Sequence, residues 1–149
     1  MRVAMSVCSR RLLLAISLLA MAGIAASSVS LYHHYGSSRT SYCDLGENFN
    51  CDIVNRSTYS TALGIPVALI GIIGYFGLLA LSTVYRSKAE TPILLLIASV
   101  AGLGFAIYLT YIEGFVLAAW CVLCLSSLAL IFSICVLSSL LVARTARNA

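Results

Sequence analysis

Residues 118–143 read AAWCVLCLSSLALIFSICVLSSLLVA, 26 positions without a single charge. At 1.5 Å per residue a helix of that length exceeds a hydrocarbon core of about 30 Å, so this stretch is long enough to cross a bilayer. Three further stretches upstream reach the roughly 20 residues that a crossing needs: about Leu12–Leu31, Ala62–Val84 and Pro92–Tyr111. Their apolar runs are unbroken and rich in Leu, Ala and Ile, which is a helical pattern rather than the alternation of a membrane β-barrel. The whole chain of 149 residues is 61% apolar and 9% charged, with a mean hydropathy of +1.02. Soluble domains carry about 25% charged residues, so a water-soluble globule is excluded, and so is low-complexity disorder. The expected fold is an all-α membrane protein, a four-transmembrane-helix bundle forming one membrane domain over residues 1–149. A long extracytoplasmic loop, residues 32–61, joins its first and second helices.

Small residues suit close packing of helices in lipid. Gly71, Gly74 and Gly77 recur at threefold spacing on the second span, near Gly64, and Gly102 and Gly104 mark the third.

Charge sets the expected orientation. Arg2, Arg10 and Arg11 precede the first span, Arg86 and Lys88 separate the second and third, and Arg144 and Arg147 follow the fourth. With four crossings these seven of the nine basic residues fall on one side. The positive-inside rule makes that side cytoplasmic, together with both termini. The net charge of +4 therefore speaks of membrane orientation rather than nucleic-acid binding. The loop carries Asp44, Glu47 and Asp52 against Arg39 and Arg56, with no positive bias. Neither these charges nor Glu113, in the outer turn 112–117, is assigned a role. A competing reading takes Arg10-Arg11, the apolar run and Ala25-Ala26-Ser27 as a secretory signal. The run continues through Val29 to Leu31, which favours a span.

The six cysteines sort by depth. Cys43 and Cys51 lie in the outer loop, and Cys121 and Cys124 sit at the outer end of the fourth span. Cys8 is on the cytoplasmic side. Cys135, eleven residues beyond Cys124, lies about 16 Å deeper. Four cysteines thus face a compartment where disulfides form, in two pairs. Residues i and i+3 share a helix face, so Cys121 and Cys124 can close a disulfide or hold a metal. The helix N-terminus is expected to favour a thiolate at Cys121. A mobile loop dithiol and a fixed one at the membrane surface make a relay for electrons by thiol–disulfide exchange. Two structural disulfides, or a zinc site from the four cysteines with His33 or His34, are the alternatives. His33 and His34 are otherwise expected to solvate the interface, and Tyr32, Tyr35, Tyr111 and Trp120 to form an aromatic belt. Cys8 and Cys135 read as small apolar residues.

These residues together resemble the vitamin K epoxide reductase family in its short bacterial branch. The resemblance rests on Cys43-Asp44, Cys51, Ser57 within Arg56-Ser57-Thr58-Tyr59-Ser60, Leu63-Gly64-Ile65-Pro66-Val67-Ala68, and Cys121-Val122-Leu123-Cys124. It implies a four-helix bundle holding a quinone between its helices near the outer surface. Electrons would enter at Cys43/Cys51 from a reduced thioredoxin-fold partner, pass through a transient Cys51–Cys121 disulfide, and leave from Cys124 to the quinone. Ser57, on a short helix capping the site, would hydrogen-bond a quinone oxygen. Animal members have a Tyr four residues after the second cysteine of the Cys-x-x-Cys, where this chain has Leu128. They also have an Asn near the start of the second span, where it reads Tyr59-Ser60-Thr61. These departures point away from reduction of vitamin K or its epoxide and toward ubiquinone or menaquinone. Many bacterial relatives carry a fused thioredoxin-like domain. This chain runs to Ala149 without one, so the expected partner is a periplasmic DsbA-like protein acting in trans.

Overall fold

A computed structural model describes residues 7–36 and 49–147 of the chain. Cys43, Asp44, Glu47, Arg39 and Arg2 lie outside the described residues. In order, the elements are α1 (Val7–Tyr35), α2 (Cys51–Arg56), a 3-10 turn (Thr58–Ser60), β1 (Thr61–Ala62), β2 (Ile65–Pro66) and α3 (Val67–Thr83). Then come α4 (Thr91–Ile112), a π-helical turn (Glu113–Leu117) and α5 (Val122–Arg147).

Three helical segments are long and apolar enough to cross a membrane: Val7–Tyr35, Thr91–Leu117 and Val122–Arg147. The fourth, α3, has 17 residues, or about 25 Å at the standard rise. It is shorter than the stretch 62–84 expected from hydropathy, and the reason is local. Thr61 pairs with Pro66 and Ala62 with Ile65 in an antiparallel hairpin. Its two turn residues, Leu63 (φ 54°) and Gly64 (φ 81°), both occupy the left-handed region. That backbone cannot be helical, so α3 begins only after Pro66, whose fixed φ and missing N–H suit a helix start. The fourth span likewise starts at Val122 rather than at 118, because Ala118 takes a left-handed conformation (φ 49°) and breaks the chain direction.

The helices pack along stripes of small and apolar residues. On α1 the buried positions Leu13, Ile16, Ala20, Gly23, Ser27 and Ser30 recur every three or four residues, which puts them on one face. Tyr75 of α3 lies directly on Gly23, where a Cβ would come within 2.4 Å of the ring. One turn along, a Cβ on Gly71 would come within 2.9 Å of Ser27 Oγ. A shared hydrogen bond of 2.9 Å between Ser17 and Ser82 extends the seam, so α1 and α3 run antiparallel. Gly102 packs on Ile131 between α4 and α5, whereas Gly74, Gly77 and Gly104 meet nothing within 4 Å. Of the expected small-residue contacts, Gly71 and Gly102 make them.

Leu13, Ile16, Leu95, Ile134 and Leu141 form the core. Many other large apolar side chains point outward, including Leu18 (68% exposed), Ile73 (65%) and Ile97 (60%). A helix bundle with this much apolar surface turned outward is suited to lipid rather than water. At one end Arg144 donates to Cys8 Sγ, joining the end of α5 to the start of α1. At the other end Asn50 N–H donates to Trp120 O at 3.1 Å, tying the segment before α2 to the residues before α5. Cys51, Cys121 and Cys124 gather at that second end.

Candidate active site

Cys51 and Cys121 stand at the starts of two different helices. Asn50 caps α2, its Oδ1 accepting from Asp52 N–H (3.0 Å) and Ile53 N–H (3.1 Å), which satisfies two of the orphan donors of the first turn. Cys51 is therefore the first residue of a short, well-anchored helix. Cys121 is the last residue before α5, and its carbonyl accepts the Leu125 N–H at 3.0 Å. The backbone pairing of Phe49 and Asn50 with Trp120 brings these helix starts side by side. Both sulfurs have no exposed surface. Cys51 interacts with Cys121, and Cys121 with Cys124, one turn into α5. The Cys124 thiol in turn interacts with the Glu113 carboxylate. Three thiols and a carboxylate thus stand in one continuous row.

The Cys121 thiol is pushed above its ordinary pKa, first by its hydrogen bond to Cys124 and further by burial, against an opposing contribution from Cys51. The thiolate expected there from the helix N-terminus is outweighed, because a helix dipole is worth less than the loss of water around a wholly buried sulfur.

Glu113 opens the π-helical turn that follows α4. Its carboxylate is buried (2% exposed) and accepts the Cys121 N–H at 3.2 Å, while its carbonyl accepts the Ala119 N–H at 3.1 Å. The Trp120 indole packs on Gly114 beside it. Trp120 therefore builds the turn as well as standing at the boundary. A single acidic residue in a predicted surface turn carried no sequence signal of this role; only the reversal at Ala118 folds it back onto the Cys-x-x-Cys.

A cavity of about 370 Å³ opens between α1, α3, α4 and α5 below this row. Cys124 and Glu113 line its inner wall, Ser57 and Asn55 its roof, and Tyr75 its far side. The remaining lining is mostly apolar, as in typical small-molecule sites of this size. Asn55 Oδ1 accepts from Ser30 Oγ at 2.7 Å, which fixes the carboxamide. Its Nδ2 is buried without a hydrogen-bond partner among the described residues. Ser57 Oγ donates to Val54 O at 2.8 Å. Tyr75 is held by its hydroxyl, 2.8 Å from both Ser127 O and Ser127 Oγ.

The histidines do not solvate the boundary as expected. His33 is 1% exposed, with Nδ1 3.7 Å from Asp52 Oδ1, and His34 Nδ1 bonds the Asn55 carbonyl. The reason is that α1 continues to Tyr35 and α2 packs against its last turns, covering the face that carries both rings. The structure brings Cys51, Cys121, Cys124 and Ser57 to one site, and Cys43 lies outside the described residues. Cys8 and Cys135 are remote from the row.

Residues 14–139 match the model of the vitamin K epoxide reductase family, a span covering most of the chain. An all-α bundle with an outward apolar surface, and a Cys-x-x-Cys whose second thiol lines a cavity between its helices, accord with that match, and the chain belongs to the vitamin K epoxide reductase family, a family of quinone-linked oxidoreductases.

Proposed function

We propose that this protein is a quinone-dependent thiol–disulfide oxidoreductase that reoxidises a periplasmic DsbA-like thioredoxin-fold protein, and so supports disulfide bond formation. The observation that carries the reading is the position of Cys124. Its thiol ends the row from Cys51 and lines a largely apolar cavity open between helices. A lipid-soluble acceptor is reached there and a water-soluble one is not.

The residues fit a quinone headgroup. A quinone presents carbonyl acceptors on an apolar ring, and the cavity roof holds a buried donor, Asn55 Nδ2, with no acceptor among the described residues. An unmet buried donor costs free energy, which a carbonyl oxygen would recover. Ser57 Oγ, beside it in the roof, is the second polar group for this task. The quinone supplies a two-electron, two-proton sink.

Electrons enter from the partner at the Cys43/Cys51 pair. Cys51 then bonds Cys121 in a transient disulfide, and closure of Cys121 with Cys124 leaves the electron pair for the acceptor. Each exchange is an in-line attack of one sulfur on the next, favoured by the contact already present along the row. The acceptor is ubiquinone or menaquinone. The protein sits in the inner membrane as four spans with α3 as the second, both termini cytoplasmic and the cysteine end periplasmic. This orientation follows from the basic residues at the opposite end.

The test is quinone reduction by the purified full chain in detergent, followed by ultraviolet absorbance with a reduced DsbA-like protein as donor. Turnover lost in Cys43→Ala and in Cys124→Ala, with both variants folded, supports the relay. Turnover with dithiothreitol but not with the protein donor removes the partner from the reading. Absence of turnover with every donor and quinone overturns it in favour of structural cysteines or a bound metal.

A further inference from the structure

Glu113 is placed where a quinone reductase needs a proton carrier. Its carboxylate is 2% exposed, and it lies against the Cys124 thiol on one side and the cavity on the other. Among the described residues its side-chain partners are the Cys121 N–H and the Cys124 thiol, with no basic group paired to it. A buried carboxylate without a basic partner is costly to keep charged. Glutamine would accept from the Cys121 N–H equally well. What glutamate adds is a proton acceptor beside a sulfur that must lose a proton.

This inference rests on the quinone reading above. We propose that Glu113 takes the proton of Cys124 Sγ as the dithiol is oxidised and delivers it to a quinone oxygen. Cys121 and Cys124 together lose two electrons and two protons and close an S–S bond. The quinone gains two electrons and two protons, its two carbonyl oxygens becoming hydroxyls. Glu113 carries one of the protons and ends as the carboxylate it began. The second proton, from Cys121, leaves toward the Cys51 side, and the other oxygen takes one from solvent. Geometry favours this route, because Cys124, the carboxylate and the cavity are contiguous and the carboxylate itself is buried. General acid–base help of this kind is worth about 10² to 10⁴ in rate.

The experiment is single-turnover reduction of a short-chain ubiquinone by the prereduced full chain, comparing wild type, Glu113→Gln and Glu113→Asp. Exchange of the Cys51–Cys121 disulfide with a small dithiol, and the thermal midpoint, are measured alongside. Glu113→Gln is expected to slow quinone reduction by about 10²-fold or more, to leave dithiol exchange within about twofold, and to gain a rate that rises with pH as free thiolate accumulates. Glu113→Asp is expected to recover most of the rate. Undiminished reduction by Glu113→Gln, while wild type turns over, overturns the proton-carrier role and leaves the quinone reading standing. Equal slowing of exchange and reduction makes Glu113 a support for the Cys121 backbone and also overturns it. Failure of wild type with any quinone sinks both readings. Should Glu113→Gln not fold, time-resolved infrared spectra of the wild type during the single turnover decide instead. A transient carboxylic-acid carbonyl band that shifts in Glu113→Asp supports the role, and the absence of such a band overturns it.

Discussion

Cys51, the first residue of α2, and Cys121, the last residue before α5, interact sulfur to sulfur with no surface left to solvent. Neither sulfur can be approached by a large protein, so the proposed thioredoxin-fold partner would deliver its electrons to a cysteine outside this contact. In the proposed relay that cysteine is Cys43.

Removing Cys43 should therefore strand the relay one step in. In Cys43→Ala the Cys51–Cys121 disulfide is expected to accumulate, because the thiol that would resolve it outward is missing. Peptide mapping under non-reducing conditions reads the linkage. A Cys51–Cys124 link, or no link at all, would contradict the order of transfer.

Asn55 and Ser57 separate two readings of the cavity roof. The family resemblance points to Ser57, but its hydroxyl already donates to Val54 O, whereas Asn55 Nδ2 is unmet. A hydrogen bond is worth about 1 kcal/mol net, so Asn55→Ala is expected to raise the quinone KM about five- to tenfold with a small change in thermal midpoint. Ser57→Ala should have the lesser effect. The reverse ranking would return the headgroup to Ser57.

Asn50 is the hinge on which Cys51 hangs. Loss of its two capping bonds in Asn50→Ala should cost about 1 kcal/mol. With only six residues in α2, the loss falls on the position of Cys51 itself. Slower exchange between Cys51 and Cys121, with quinone reduction from prereduced Cys121/Cys124 unchanged, is the expected pattern. Equal loss in both half-reactions would show that the cap supports the whole site.

The α1–α3 seam is specified by Gly23. A methyl group there would overlap the Tyr75 ring, whose hydroxyl is held by Ser127, so the ring has little freedom to retreat. Gly23→Ala should destabilise by about 1–3 kcal/mol and lower the thermal midpoint accordingly. Gly77→Ala, which meets nothing within 4 Å, should be neutral or slightly stabilising through helix propensity. Equal effects of the two substitutions would refute the close approach.

Apolar runs are one-dimensional, and that is why the three long helices could be read to within a few residues from the absence of charge over about 20 positions. The nearness of Cys121 and Cys124 was also legible, since they are three apart at the start of a run that must be helical. The second apolar stretch misled because hydropathy does not register backbone sign. Leu63 and Gly64 look like the start of a span, yet their positive φ makes them a hairpin tip, and α3 waits for Pro66. Which face of α1 carries His33, and what covers it, depended on where α2 docks. Glu113 is the clearest case. In sequence it is one acid in a turn, eight residues from Cys121. Only the π-helical turn and the left-handed Ala118 reverse the chain and bury that acid against the thiols. Local composition decides what a segment can be, because burial and chain propensity act along neighbouring residues. Proximity between residues far apart, and the loss of water that gives a buried acid or thiol its chemistry, exist only once the helices have packed.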